Sequence, residues 1–204
     1  MMSTGVTTCL HHWRTANVAH EQKRTLIGDK NMSEYENVTH NFAPVWDEQS
    51  RILILGTFPS VKSRENHFYY GHPQNRFWKV LAALTDWEVP QTIEEKKAML
   101  LANHIAIWDV IASCQIIGSS DSSIRDVVVN DIQGLLQKTN IQKIYANGGK
   151  ASELYKKYVF PDTGREIIKL PSTSPANAAF RLERLITEWG TKITIKQRHL
   201  SQKG

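Results

Sequence analysis

Short apolar runs alternate with segments of helical periodicity along most of this 204-residue chain, and this alternation restricts the fold more than any other feature. The apolar runs are residues 51–55, 104–109, 141–146 and 166–170. Helical spacing occurs at residues 76–84, 93–103, 132–138, 150–158 and 177–189. Strands that alternate with helices form parallel β-α-β units with right-handed crossovers. The sequence therefore predicts an α/β fold, a three-layer α/β/α sandwich with a central four-stranded, mainly parallel sheet.

The length fits one domain with a single core, and the composition excludes several protein classes. No stretch approaches the roughly 20 apolar residues of a membrane helix, and the first residues lack the basic-then-apolar order of a signal peptide. Two cysteines, Cys9 and Cys114, are too few for a disulfide scaffold or an iron–sulfur cluster. His11 and His12 follow Cys9 without a second ligand pair, so we expect no metal site there. We expect a cytoplasmic protein without membrane association.

Residues 1–40 differ from the rest of the chain, because they show no sustained periodicity and no turn-bounded apolar run. We interpret them as a disordered extension or an over-long start, with Met32 as a second plausible start. We assign residues 41–195 to the folded domain and residues 196–204 to a basic tail. The first 40 residues carry as many acidic as basic side chains, so the net charge of +5 belongs to the remainder. A basic domain is compatible with a polyanionic partner.

The segments that follow the four predicted strands are those in which a binding site is expected, because ligands of parallel sheets bind beyond the carboxyl ends of the strands. These segments are GTFPS (56–60), DVIASC (109–114), NGGKAS (147–152) and PSTSPAN (171–177). Three of the four are rich in Gly, Pro, Ser, Thr or Asn. These four segments, the rim of the sheet, are therefore predicted to carry the functional residues, whatever reaction the protein performs.

The segment GTFPSVKSRENHFYYGHPQNRFW, residues 56–78, contains more aromatic rings and amides than a strand-to-helix connection needs. Its aromatic faces and the amide of Asn75 can hold a planar heterocycle. The last two aromatic residues begin the helical pattern and are better explained as core residues, whereas Tyr70 is placed to contact a ligand. Asn75 can also cap the following helix. His72 is either a general acid or base or a hydrogen-bonded structural histidine.

Polar groups of other kinds follow the second and fourth strands. LPSTSPAN supplies three hydroxyls before a helix that Asn177 can cap, which suits phosphate oxygens but also an ordinary capped turn. Asp109 ends a strand that points into the same crevice, where it is functional or pairs with a backbone N–H. Residues 114–126, CQIIGSSDSSIRD, are predicted to form a Ser/Asp turn with helix caps. A position on the rim is the alternative for Ser119, Asp121 and Ser122.

Together these residues resemble the uracil-DNA glycosylase superfamily, and in particular its DNA-deoxyinosine (hypoxanthine-DNA) glycosylase branch. The resemblance covers about residues 40–190 and rests on ILGTFPSVKS, FYYGHPQNRFW and LPSTSPANA in that order. The family fold is the predicted α/β/α sandwich. The resemblance implies a monofunctional enzyme that flips a deaminated base, hypoxanthine above all, from double-stranded DNA and hydrolyses its N-glycosidic bond. It also implies a monomer without metal or other cofactor.

The resemblance assigns roles to individual residues. Asn75 is expected to orient the water or the departing base, and Asp109 to read the edge of the base. The base-binding residues are expected to be Gly56, Thr57, Phe58, Pro59, Tyr70 and His72, with Tyr70 similar to the ring that stacks on the flipped base. The DNA-binding residues are expected to be Ser60, Ser63, Pro171, Ser172, Thr173, Ser174 and Asn177.

One position departs from the uracil-specific members, which carry Asp or Asn at the position of Phe58 to position the attacking water. Phenylalanine cannot do this, so the resemblance to the hypoxanthine branch transfers the task to Asn75. Three alternatives stay open: a uracil- or mismatch-specific glycosylase of the same fold, a non-catalytic DNA-binding module, and a small-molecule nucleotide hydrolase. The hydrolase is disfavoured because the chain lacks a G-x-x-x-x-G-K-[ST] phosphate loop, and the intact base-pocket segments favour an enzyme over a binding module.

Overall fold

The computed structural model describes residues 34–193 as an ordered series of seven strands and seven α-helices. From the amino end these are β1 (Glu36–Thr39), β2 (Ile52–Gly56), α1 (Val61–Glu65), α2 (Phe77–Thr85), α3 (Ile93–Ala102), β3 (Ile105–Asp109), β4 (Ile111–Ile116), β5 (Arg125–Val129), α4 (Ile132–Gln137), β6 (Lys143–Asn147), α5 (Gly149–Tyr158), α6 (Phe160–Thr163), β7 (Ile167–Leu170) and α7 (Leu182–Gly190). No helix in this range is long and apolar enough to cross a membrane.

The four predicted strands form one sheet in the order β3-β2-β6-β7, and all three pairings are parallel. The chain crosses from β2 to β3 on one side and then continues through β6 and β7 on the other. The strand order therefore reverses between β2 and β6, and in open α/β sheets such a reversal opens a crevice at the carboxyl ends of the strands.

Apolar layers cover both faces of this sheet, as the near-continuous apolar strands predict. On one face, Ile52, Ile54 and Tyr145 pack against α2, α3 and α7. On the other face, Leu53 and Leu55 pack against α4, α5 and the inner side of β4. The predicted three-layer α/β/α sandwich with a four-stranded parallel sheet is confirmed.

A second, antiparallel sheet in the order β1-β4-β5 is absent from the sequence-based prediction. Residues 114–126 are not a capped turn alone, because β4 occupies their first part and β5 begins at Arg125, with a short 3-10 turn at Asp121–Ser123 between them. The folded domain also begins before residue 41, because Glu36–Thr39 pair with Ser113–Ile116 of β4. Of the proposed extension at residues 1–40, residues 1–33 lie outside the described residues, as does the basic tail at 196–204.

The closing helix was predicted too long at its amino end. It begins at Leu182 rather than at residue 177, and Asn177 is not its cap. The guanidinium of Arg76 donates to the carbonyl oxygens of Ser174, Asn177 and Phe180. These bonds hold residues 174–180 in an irregular path, so that the helix starts only beyond them.

Candidate active site

A cavity of about 540 Å³ opens at the carboxyl ends of β2, β3 and β6, where the strand order reverses. Its lining includes most of the residues that the sequence singled out, namely Gly56, Thr57, Phe58, Pro59, Ser60, Ser63, Tyr70, His72, Asn75, Asp109, Ser172 and Ser174. Pro171, Thr173 and Asn177 do not line it. A cavity of this size, apolar on its walls with a few polar groups, is typical of a small-molecule or base-binding site.

Asp109 lies at the inner end of the cavity and is only 4% exposed. It is paired across the sheet with Gly56, and this register places its carboxylate against the glycine. A Cβ at position 56 would lie 2.1 Å from Asp109 Oδ1, so only glycine leaves room for the carboxylate. The other oxygen, Oδ2, lies 3.0 Å from His40 Nε2. Oδ2 of Asp109 therefore has a side-chain partner, and Oδ1 lies against Gly56 at the end of β2.

His40 is a site residue that the sequence did not indicate, because it falls in a segment without periodicity. Its side chain is 3% exposed, and its ring is 4.4 Å from Phe42 and 6.4 Å from Phe58 between centroids. Phe58 meets the imidazole edge to face. The phenylalanine at this position therefore packs against the residue that holds Asp109.

The amide of Asn75 is fixed in one orientation by a chain of hydrogen bonds. Thr173 N donates to Asn147 Oδ1 at 2.9 Å, so Asn147 Nδ2 must be the group that donates to Thr173 Oγ1, also at 2.9 Å. The Thr173 hydroxyl then donates to Asn75 Oδ1 at 2.9 Å, and Phe77 N donates to the same oxygen at 3.0 Å. The Asn75 carbonyl is thus saturated, and its Nδ2 has no partner among residues 34–193. Asn75 precedes Arg76, the N-cap of α2, and its carbonyl accepts from the N–H of the first helical residue, so the side chain offers only donors to the cavity.

This arrangement changes the interpretation of Thr173. Thr173 has no exposed surface and cannot contact DNA directly. Its hydroxyl joins Asn147, which ends β6, to Asn75 before α2. Asn147 itself lies in a rim segment of the sequence, but nothing in the sequence distinguished it from its neighbours.

Tyr70 adopts a left-handed backbone conformation with φ of 53°, which costs a non-glycine residue of order 1–3 kcal/mol. One face of its ring stacks on Phe77 with centroids 3.7 Å apart, and the residue also lines the cavity. Its hydroxyl is buried and makes no hydrogen bond within the described residues, although the Asn147 amide lies beside it. Burial, together with the Asp109 carboxylate, raises the pKa of this hydroxyl far above its usual range, so Tyr70 stays neutral.

The polar side chains at the mouth of the cavity are partly engaged in the loops. His72 Nδ1 accepts from Gln74 N at 3.2 Å, which places the proton of a neutral imidazole on Nε2. Ser60 Oγ caps α1, and Ser63 Oγ accepts from Gly71 N. Ser63, at 2% exposure, therefore stabilises the turn that carries Tyr70.

Two hydroxyls of the PSTSPAN segment (171–177) remain available as donors. Ser172 Oγ accepts from Ser174 N, and Ser174 Oγ accepts from Ala176 N, so both O–H groups can donate outward. Pro171 and Asn177 are structural, because Pro171 O accepts from Trp189 Nε1 and Asn177 Nδ2 donates to Ser172 O. The loop is thus a rigid rim with outward donors.

Within residues 34–193, no three His, Cys, Asp or Glu side chains are grouped as a metal ion would require. The Cys9, His11 and His12 cluster lies outside the described residues. The cavity instead offers one buried carboxylate, an amide donor and an aromatic face. Such a set can hydrogen-bond the edge of a heterocycle and stack on its face.

Comparisons with known proteins agree with this geometry. Residues 43–189 match the uracil DNA glycosylase superfamily. A hypoxanthine DNA glycosylase of Methanosarcina acetivorans is 36% identical over 154 residues, which cover 74% of this chain and 96% of that protein. A hypoxanthine DNA glycosylase of Methanosarcina barkeri is 33% identical over 138 residues, 67% of this chain and 86% of that protein.

A solved structure shows the same fold. The solution NMR structure of a candidate uracil DNA glycosylase from Methanosarcina acetivorans superposes with a TM-score of 0.65 at 37% sequence identity. The superposition covers 74% of this chain and 93% of that chain. With the cavity at the predicted sheet edge and the family match over most of residues 34–193, the resemblance inferred from the sequence is confirmed: this chain belongs to the uracil-DNA glycosylase superfamily.

Proposed function

We propose that this protein is a monofunctional DNA glycosylase that flips a deaminated base, with hypoxanthine as its main substrate, and hydrolyses the N-glycosidic bond to leave an abasic site. The hypoxanthine DNA glycosylases to which it is 33–36% identical support the substrate. The observation that carries the proposal is that one cavity contains both a buried hydrogen-bond acceptor, the Asp109 carboxylate, and an amide that can only donate, that of Asn75.

These two groups match the edge of hypoxanthine. Hypoxanthine has a ring N–H beside a carbonyl, so it donates to a carboxylate and accepts from an amide N–H. Adenine has a ring nitrogen acceptor and an exocyclic amino donor in the same places. Its ring nitrogen would face the Asp109 carboxylate without a proton between them, which is unfavourable in a buried site. The cavity therefore accepts hypoxanthine and refuses adenine, the base from which hypoxanthine is formed.

Asn75 acts on the departing base in this proposal. The bond between the sugar and the base breaks with negative charge gathering on the base, and preorganised donors stabilise such charge where it develops. Because the Asn75 carbonyl already accepts two hydrogen bonds, its Nδ2 is the group available to the base. Of the two roles expected for Asn75, the stabilisation of the leaving base is therefore the one we retain.

Tyr70 and the PSTSPAN segment hold the flipped nucleotide. One ring face of Tyr70 is supported by Phe77, which leaves the cavity side to stack on the base. Ser172 and Ser174 direct hydroxyl donors towards a phosphate backbone at the rim. A deaminated base is mispaired and costs less to flip, which adds to the selectivity.

A strand-cleavage assay tests the proposal. Duplexes with one inosine, uracil, xanthine or adenine are incubated with the protein in EDTA, and abasic sites are then cleaved with alkali. We expect product from inosine, less from uracil and none from adenine. Asp109→Asn should lose most of the inosine activity while keeping duplex binding. Binding without product on every duplex would instead support the non-catalytic DNA-binding module.

Uracil excision is the second candidate. Uracil also presents a ring N–H between carbonyls, so Asp109 can accept from it. Phe58 packs against His40 and leaves no side chain there to position water as in uracil-specific members. A uracil rate above the inosine rate would reverse our assignment.

We also propose that the protein acts as a cytoplasmic monomer, with its activity in residues 35–193. Among the described residues, one chain supplies the carboxylate, the amide and the aromatic ring that the proposed chemistry uses. Light scattering during size exclusion, in the absence and presence of duplex, tests the oligomeric state.

A further inference from the structure

The loop between β4 and β5 brings a second carboxylate to the cavity. Asp121 lines the cavity, and its Oδ2 accepts from Thr57 Oγ1 at 3.3 Å. Thr57 directly precedes Phe58, the position that lacks a water-positioning side chain. The Asp121 carboxylate, from a distant part of the chain, therefore lies beside the GTFPS segment (56–60), which has no carboxylate of its own.

The loop that carries Asp121 is held in place at several points. Ser119 Oγ accepts from Val61 N at 3.1 Å, which ties the loop to the start of α1. Ile117 N donates to Ser123 Oγ at 2.9 Å, and the Ser123 hydroxyl donates to Ser120 O at 2.7 Å, which closes the turn on itself. The position of Asp121 is thus set by its own loop and by contacts to residues on either side of Phe58.

We propose that Asp121 is a catalytic residue that binds and deprotonates the attacking water, in place of the side chain missing at Phe58. This inference rests on the proposed glycosylase function. Oδ2 is engaged by Thr57, and Oδ1 has no partner within the described residues, so one oxygen orients the carboxylate and the other accepts from water. The sugar–base bond breaks and its electron pair leaves with the base. The water oxygen bonds to the sugar C1′ and one water proton passes to Asp121. The departing base takes a proton from solvent, and Asp121 returns its proton to solvent afterwards.

Asp109 is less suited to this task than Asp121. Asp109 is 4% exposed, has one oxygen on His40, and in the proposed function uses the other for the ring N–H of the base, so neither oxygen is left for water. Asp121 is an exposed residue whose carboxylate bonds to the buried Thr57, so it lies where bulk water meets the cavity. The residue as a whole is exposed, but its carboxyl group is desolvated where it lies against Thr57, and this raises its pKa; the hydrogen bond from Thr57 and the charge of Lys150 lower the pKa, and the charge of Asp109 raises it. A raised carboxyl pKa favours proton acceptance.

Single-turnover kinetics on an inosine duplex, with the full-length protein in excess, test the role. Asp121→Asn and Asp121→Ala should lower the cleavage rate by about 10²-fold or more, the usual contribution of a general base. The duplex dissociation constant, measured by anisotropy, should not rise, and the thermal midpoint should not fall. Asp126→Asn is the matched control, because Asp126 is exposed, does not line the cavity and has a φ of 52° that asparagine tolerates.

The outcomes separate the two proposals. An inactive wild type on every base would overturn the glycosylase function itself. An active wild type whose Asp121→Asn variant cleaves within threefold of Asp126→Asn would overturn the role of Asp121 alone. Equal losses of rate and of duplex binding would also overturn it, because Asp121 would then act in binding. A further expected result is that Thr57→Val, which removes the orienting hydroxyl, lowers the rate less than Asp121→Ala does.

Discussion

Gly56→Ala is the substitution for which the structure makes the sharpest prediction. The new Cβ would lie 2.1 Å from Asp109 Oδ1 and 3.2 Å from Tyr70 Oη. An ordinary contact needs about 3.5 Å, so the carboxylate or the strand must move by about 1.4 Å. Gly56 and Asp109 are paired across β2 and β3, two buried neighbouring strands, which leaves little freedom for the backbone. The carboxylate is therefore the group that moves, and its 3.0 Å bond to His40 breaks.

The expected cost follows from two contributions. Overpacking of a well-packed site costs about 1–3 kcal/mol, and a hydrogen bond to a charged group contributes about 1.5–3 kcal/mol. At the lower end of their sum, about 3 kcal/mol, Tm should fall by about 6–12 °C for a domain of this size. Since Asp109 is the proposed reader of the base edge, its displacement by about 1 Å should also lower kcat/KM for inosine about 10²-fold.

Calorimetry and the inosine cleavage assay measure both effects. Gly149→Ala is the control for stability, because a Cβ at Gly149, the first residue of α5, would meet no atom within 4 Å. Alanine in place of that helical glycine should leave Tm unchanged or slightly raised. If Gly56→Ala kept wild-type Tm and wild-type cleavage, the assignment of Gly56 as the residue that makes room for Asp109 would be refuted.

Four further predictions concern single side chains. His40→Ala removes the partner of the buried Asp109 carboxylate and should lower the free energy of unfolding by about 3 kcal/mol, measured by urea titration, with at least a tenfold lower kcat/KM. Thr173→Val leaves the Asn75 carbonyl short of a donor; it should cost about 1–3 kcal/mol and slow inosine cleavage with little change in duplex affinity. Asp131→Ala removes the cap of α4, whose oxygen accepts from a backbone N–H at 2.8 Å; it should cost about 1 kcal/mol and leave cleavage unchanged. The pKa of the Asp121 carboxyl is higher in the folded protein than in the unfolded chain. The free energy of unfolding therefore falls as the pH rises through the raised pKa, because the folded protein then has to lose that proton. Asp121→Asn removes this effect and should raise Tm at pH 7 but not at pH 3.

The sequence-based predictions were confirmed where they depended on patterns within short stretches of the chain. The four parallel strands and the cavity at their carboxyl ends were predicted, because apolar strands that alternate with helices have few ways to pack. The second sheet was not, because β1 carries little apolar periodicity and pairs with β4 across more than 70 residues of chain.

The chemistry of the site depended on contacts between distant residues. His40 and Asp109 are 69 residues apart, Thr57 and Asp121 are 64 apart, and Asn75 and Thr173 are 98 apart. No period or spacing in a single sequence encodes such pairs, since a hydrogen bond requires only that two groups meet in space.

The sequence by itself therefore determined the sheet, the rim and, through resemblance, the family of this protein. Only the tertiary structure decided which atoms of the rim residues face the cavity. It assigned Thr173 to the interior, left Nδ2 of Asn75 as the free group, and placed Phe58 against His40. The physical reason is that residue type fixes what a side chain can donate or accept, whereas the folded partners fix which of those groups is still available.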